Sequence, residues 1–331
     1  MSTQSTTLAP SHEFGELEQY RGELTAYCYR MLGSPFDAED AVQDAFVRAW
    51  RSRDRFEGRA ALRSWLYRIA TNVCLDTLKS KERRARPMDL GPSCEPIEAN
   101  LHIPDDIAWL EPIPMRLIAP DRDPAEVAVA NESIRLAFVS ALQHLPARQR
   151  AVLILREVLD WQASEVAELL DTSVASVNSA LQRARATMSK TNAAQEPAKQ
   201  LSDPLSEEDG RMLERYVAAF ERYDVQALTA LLREDARQSM PPYDMWLAGR
   251  DDVLAWWFGP GIGCKGSRVL PTVSANGMPA YGQYKIDPNG GYSPWALQVV
   301  DVSGGRIREI TFFLDTARLF PLFELPLHLD A

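Results

Sequence analysis

A chain of 331 residues exceeds the usual size of one packed domain, so two or three units are expected. Its 46% hydrophobic and 25% charged residues are those of a globular protein, and no apolar run approaches the roughly 20 residues of a membrane span. The net charge of −10 argues against a nucleic-acid ligand only as an average, because acidic and basic blocks alternate. Residues 13–47 hold eight acids and two bases, 48–86 four and twelve, 87–130 nine and two, 131–190 six and seven, and 191–331 nineteen and thirteen. A polyanion needs Lys and Arg, so 48–86 is where DNA is expected. Residues 1–12 are rich in Ser and Thr, lack the basic-then-apolar order of a secretory leader, and read as a disordered tail. Cys28, Cys74, Cys94 and Cys264 lack the short spacing of a zinc or redox site; free thiols in a reducing cytoplasm follow, with no metal and no cofactor.

In chain order, residues 13–81 read as helical, with breaks at Gly33-Ser34-Pro35 and around Glu57-Gly58. Within them Asp37 caps a helix reaching Trp50; Ala38, Ala41, Ala45, Phe46 and Ala49 form its packed side, and Glu39, Asp40, Gln43 and Asp44 an acidic ridge. Residues 87–124 hold eight of the 22 prolines and read as an extended acidic linker, in which Trp109-Leu110-Glu111-Pro112 stands out as an aromatic anchor. Helices resume over 124–190, interrupted at His144-Leu145-Pro146 and Asp171-Thr172-Ser173. Residues 161–188 have the shape of a helix-turn-helix: a first helix over 164–170 capped by Ser164 or its neighbour, a short turn, and a second helix capped by Ser173. Val174, Val177, Leu181, Ala184 and Met188 form its buried stripe, leaving Ala175, Ser176, Ser179, Gln182, Arg183 and Lys190 outside, where Gln and Arg suit base edges. A plain helical hairpin fits the same pattern.

A polar linker follows over 191–204. Residues 207–233 read as two helices and 252–258 as a further helical turn or two. Strands are expected at 267–275, 280–286, 295–302 and 307–314, the last two flanking the hairpin signal Ser303-Gly304-Gly305. Helices first and strands later make an α+β domain. There is no internal repeat.

The run from Asp37 to Trp50 resembles the core-binding segment of the extracytoplasmic-function sigma factors, and the run from Asp54 to Asp76 resembles the stretch that follows it in that family. With the helix-turn-helix, the likeness covers residues 14–83 and 131–190 in the family's order. It implies two all-α domains, 13–86 and 125–190, joined by the linker 87–124. It also implies that the chain binds RNA polymerase core and directs promoter recognition and transcription initiation. By that resemblance Glu39, Asp40, Gln43, Asp44 and Phe46 meet the clamp helices of the largest polymerase subunit. Arg55, Phe56, Arg63, Trp65, Tyr67, Arg68 and Asn72 open and read the minus-ten element, where interleaved charge and aromatic surface suit single strands. Ser173, Ser176, Asn178, Ser179, Gln182, Arg183 and Arg185 read the minus-thirty-five element. The sequence departs from the family in carrying Asn178 and Ala180 where basic residues are common, which weakens phosphate contact there.

Residues 205–331 resemble the cone-shaped α+β fold of the SnoaL-like and ketosteroid-isomerase superfamily. Tyr216 to Phe220, Asp224, Leu231-Leu232, Asp235, Trp246 to Gly249 and Ile310 to Leu314 carry that likeness. The fold implies a pocket, for which Tyr243, Trp246, Trp256, Trp257, Tyr281, Trp295 and Phe312 are candidate lining residues and a small ligand a candidate partner. Enzymes of this fold use an acid/base pair; the domain's one histidine is His328, near its end, and Asp244 and Asp315 read as surface carboxylates. The domain is therefore expected to be regulatory, not catalytic, and to stand in for a separate anti-sigma protein, with Trp109, Leu110, Glu111 and Pro112 docking on it or on polymerase. A stand-alone helix-turn-helix regulator with a ligand-sensing domain is the competing reading, and an enzyme with an accessory DNA-binding segment ranks third.

Overall fold

The computed structural model describes residues 17–53, 62–80, 83–118, 133–194 and 206–330. The chain divides into two compact units. The first combines Met1–Lys81, Arg116–Asp121 and Leu142–Lys190; the second combines Glu82–Met115, Arg122–Ala141 and Thr191–Ala331.

The first unit is helical. Helix α1 (Arg21–Leu32) ends at Gly33, whose φ of 73° provides the left-handed cap that a Cβ would strain. Helix α2 (Pro35–Ser52) opens one turn before the expected Asp37 cap. Ser34 accepts from the Asp37 N–H at 3.3 Å and Pro35 occupies the first turn, where its missing N–H is harmless. Helix α3 (Leu62–Ser80) buries Leu66, Tyr67, Ala70, Thr71, Val73 and Cys74 along one stripe. The unit continues from Leu142 through helix α5 (Ala147–Leu153), which extends as a π-helical turn over Ile154–Val158, to α6 (Ala163–Leu169) and α7 (Val174–Ala194). Gln162 caps α6, its N–H bonded to Glu165 at 2.7 Å, so the cap falls two residues before Ser164. Helix α4 (Leu136–Gln143) precedes α5 and crosses the boundary between the two units.

The second unit is built on a six-stranded sheet. Helices α8 (Glu207–Arg222) and α9 (Val225–Leu231) lead into β3 (Leu232–Ser239) and β4 (Trp246–Ala248). Helix α10 (Arg250–Phe258), β5 (Arg268–Ala275), β6 (Met278–Ile286), β7 (Tyr292–Ser303), β8 (Arg306–Phe313) and α11 (Thr316–Leu322) follow. The spatial order is β4-β3-β8-β7-β6-β5, with β3 parallel to β8 and the other pairs antiparallel. The four late strands stand where the sequence puts them. β3 and β4 are additions, since the second expected helix ends at Leu231 and the chain turns extended at Leu232.

Residues 296–301 of β7 are buried without interruption, which means both faces of the sheet are covered. On one face Ala296, Val300, Ile310, Phe312 and Tyr281 join a core with α8 to α10, closing the cone. The other face takes α11 and the proline-rich segment, far more of it than the four residues expected to dock. That segment is no free spacer: it forms β2 (Ala108–Trp109), paired in parallel with β1 (Arg84–Ala85) just ahead of it, and short 3-10 turns at Pro87–Asp89, Glu98–Asn100 and Met115–Leu117. It also covers the edge strand β4, where the Trp246 indole N–H donates to the Gly91 carbonyl at 2.9 Å and the Cys94 N–H to the Trp246 carbonyl at 3.1 Å.

Candidate nucleic-acid interface

The acidic ridge forms as its spacing demands. Ala38, Ala41, Val42, Ala45, Phe46 and Ala49 are buried, leaving Glu39, Asp40 and Gln43 exposed and Asp44 half-buried, paired with Arg48 at 2.8 Å. Phe46 departs from its expected role. It is 3% exposed with the Arg21 guanidinium 5.1 Å above its ring, so it is core and not docking surface. Val47, four residues beyond Gln43 and 40% exposed, extends the ridge in its place; the i, i+4 spacing was the available signal.

On α3, Arg68 and Asn72 are exposed and Arg63 and Trp65 half-buried. Tyr67 is fully buried, its ring 5.2 Å from Tyr27 and 5.1 Å from Trp161, so it cannot contact DNA here. The Arg63 guanidinium lies over the rings of Tyr67 and Trp161, at 5.2 and 5.7 Å, and pairs with Glu23 at 2.9 Å. Arg68 donates to the Glu168 carbonyl at 2.7 Å. Of the residues expected at the minus-ten element, Tyr67 and Arg63 thus pack against Trp161 of the helix-turn-helix segment and Arg68 is bonded to its backbone, while Arg68 and Asn72 stay exposed. Arg55 and Phe56 lie outside the described residues.

Arg150 anchors this arrangement. It is 3% exposed and donates to the Met31 carbonyl at the end of α1, to the Gln143 side chain at 2.6 Å, and to the carbonyls of Gln143 and Leu145 at 3.1 and 3.2 Å. A cation there answers the negative end of a helix dipole. An arginine on a short amphipathic helix reads as solvent-facing, and no local signal marks this one as buried.

In the helix-turn-helix the Ser176 N–H donates to Ser173 Oγ at 3.2 Å, as a cap at that position requires. Ser173, Ser176, Asn178, Ser179, Gln182, Arg183 and Arg185 are all exposed on α7. Val177, Leu181, Ala184 and Met188 are buried, but Val174 is 43% exposed and leaves the expected stripe. It begins the helix, ahead of the turn that packs.

The anchor in the proline-rich segment is Leu110, 1% exposed, and not Trp109, which is half-buried and gives its carbonyl to Arg84 at 2.6 Å. Glu111 pairs with Arg84 at 3.2 Å and Arg318 at 3.0 Å, and Pro112 is buried. Asn276, in the turn after β5 at φ 52°, is wholly buried and forms a clasp. It exchanges bonds with both backbone groups of Ile113, at 2.9 Å each, and donates to the Ile134 carbonyl at 2.7 Å. Beside it, a small cleft is lined by Arg86, Arg135, Asp301, Arg308, Glu309 and Thr311. Asp301 takes Arg135 at 3.3 Å and Arg308, Arg86 lies 3.9 Å from Glu309, and Ser140 donates to Asp89 at 2.5 Å. The head of α4 and the segment before it are therefore tied to the sheet by ions and amides.

The cone side carries neutral polar groups. Tyr216 donates to Gln298 at 2.8 Å, Gln298 to Gln283 at 3.0 Å, Gln283 to Ser267 at 3.0 Å, and Trp257 to Gln238 at 2.5 Å. Burial pushes the Tyr216 phenol well above its ordinary range and the Tyr281 phenol up to about 12. The seven aromatics expected to line one pocket lie in different surroundings. Trp256, Trp257, Tyr281 and Phe312 are core, with Tyr243 packed against it; Trp246 faces the proline-rich segment, and Trp295 is 38% exposed under the Lys285 ammonium at 3.4 Å. Among the described residues no group of His, Cys, Asp and Glu could hold a metal ion, and no helix is long and apolar enough to cross a membrane.

Known families match all three parts: Sigma-70 region 2 at residues 17–84, Sigma-70 region 4 at 135–188, and the SnoaL-like domain at 213–310. The ECF RNA polymerase sigma factor SigG of Mycobacterium tuberculosis is 43% identical over 316 residues, covering 93% of this chain and 82% of SigG. The chain belongs to the ECF RNA polymerase sigma factors. SigJ of the same organism is 31% identical over 224 residues, covering 67% of this chain and 63% of SigJ. The crystal structure of SigJ superposes with a TM-score of 0.58 at 22% identity, over 96% of this chain and 99% of that one, and so shares the fold. This ECF sigma factor is an alternative sigma factor, a protein of promoter recognition and transcription initiation that works with RNA polymerase and promoter DNA. The competing reading as a stand-alone regulator finds no support in these relationships.

Proposed function

We propose that this sigma factor works in the cytoplasm and rests in a closed state, restrained by its own chain and not by a separate anti-sigma protein. Residues 13–86 serve core binding and the minus-ten element. Glu39, Asp40, Gln43 and Asp44, joined by Val47, dock on the clamp helices, while Arg63, Trp65, Arg68 and Asn72, with the loop holding Arg55 and Phe56, read the opened strand. Residues 125–190 read the minus-thirty-five element through the outer face of α7. Residues 205–331, with residues 87–115 of the linker packed on them, form a regulatory and non-catalytic body. The observation that carries this reading is the packing of Trp161 on Arg63 and Tyr67, with Arg68 bonded to the Glu168 carbonyl, which sets the helix-turn-helix segment against the face of α3 that polymerase-bound DNA would use. Opening then shifts a population between two arrangements of one chain.

Run-off transcription with purified core polymerase tests it. Trp161→Ala, which uncovers α3, and Arg135→Ala, which loosens the head of α4, should each raise initiation severalfold at equal protein concentration. Unchanged or lowered initiation by both variants, with native circular dichroism, would reverse the assignment and make the contacts activating.

A further inference from the structure

We infer that Val174 is a specificity residue which reads a thymine through its C5-methyl group in the minus-thirty-five element. The inference rests on the assignment of α7 to that element. Val174 is the first residue of α7 and is 43% exposed, while the stripe it belongs to by spacing is buried from Val177 onward. A recognition helix brings its N-terminal residues to the base edges. Several of the polar groups along this helix are already engaged. Ser173 Oγ accepts from the Ser176 N–H and lies 3.0 Å from Ser176 Oγ, Arg183 donates to Ser179 at 2.6 Å, and Arg185 pairs with Glu157 at 2.5 Å. The first two side chains of the helix, Val174 and Ala175, are both exposed and apolar.

In the major groove one base edge presents an apolar group, the methyl of thymine, and small apolar side chains are its partners. A β-branched valine suits this task because its χ1 is nearly fixed in a helix, so little side-chain freedom is lost on contact. The arrangement also accounts for a recognition helix with Asn178 and Ala180 in its first turns: part of its discrimination is by shape and methyl contact, with fewer phosphate bonds.

The test enriches active promoters from a library randomised across the minus-thirty-five element, using the full chain with core polymerase. The natural chain should enrich a thymine at one position, and deoxyuridine placed there should lower initiation about fourfold, the factor that one buried methyl group supplies. Val174→Ser should lose preference at that position alone and be indifferent to deoxyuridine. No enriched thymine, a neutral deoxyuridine with the natural chain, or an unchanged thymine preference in Val174→Ser would each overturn the proposal. Gln182→Ala and Arg183→Ala separate the two levels. If they shift the enriched sequence while Val174→Ser does not, only the methyl reading fails; if none of the three does, the assignment of α7 fails with it.

Discussion

On the cone face of the C-terminal sheet, Gln283, Gln298, Tyr216 and Ser267 bond to one another, all from residues after 206. On the opposite face Asp301 takes Arg135 from 166 residues upstream, and Asn276 takes Ile113 and Ile134 from 163 and 142 residues upstream. The first network is neutral and closed upon itself, so it stabilises the domain and senses nothing beyond it. The second is charged or amide-based and shared with the chain on either side of residues 119–132, so its strength is coupled to where that chain goes. Polar groups of similar burial thus do two jobs, decided by who supplies the partner.

Substitutions can break this contrast. The largest effect is expected for Asn276→Ala, which removes bonds to Ile113 and Ile134 and places alanine at φ 52°. A loss of about 3–5 kcal/mol in urea unfolding is expected, with faster hydrogen exchange at the Ile113 amide. Asp301→Ala leaves Arg135 and Arg308 unpaired at side-chain exposures of 17% and 20%, for a loss of about 3 kcal/mol and altered initiation in run-off assays. On the cone face Gln298→Leu strands Tyr216 and Gln283 and should cost about 1–2 kcal/mol while leaving initiation unchanged. Altered initiation with Gln298→Leu would make the cone a sensing site and erase the distinction. The smallest effect is expected for Arg318→Gln, about 0.5–1 kcal/mol by thermal unfolding, since Arg318 is half in solvent and Glu111 keeps Arg84.

Much of the helical unit was legible because its signals are local. The Gly33-Ser34-Pro35 break, the acidic ridge and the Ser173 cap depend on residues within one or two turns, and the late strands announced themselves through alternation and the Ser303-Gly304-Gly305 turn. What escaped was set by distant partners. Nothing near Arg150 shows that it will meet Met31, and nothing near Tyr67 shows that Trp161 will cover it. The aromatic residues of the C-terminal domain suggested a pocket by composition, but a ring fills a core as readily as it lines a cavity, and only packing decides. The proline-rich segment read as a spacer for a similar reason. Its proline content limits it to a two-residue strand and 3-10 turns but does not prevent packing, and Leu110, Ile113 and Pro114 are buried there.

The Asn276 clasp has a consequence in chain entropy. Ile113 and Ile134 reach the same side chain, so one residue closes a loop of about twenty residues, as a disulfide would. The cost of closing a loop grows only with the logarithm of its length, about 0.6 kcal/mol for each doubling. The intervening segment can therefore be lengthened considerably at a cost smaller than that of losing Asn276. The closure lies in the clasp and hardly in the length of what it encloses.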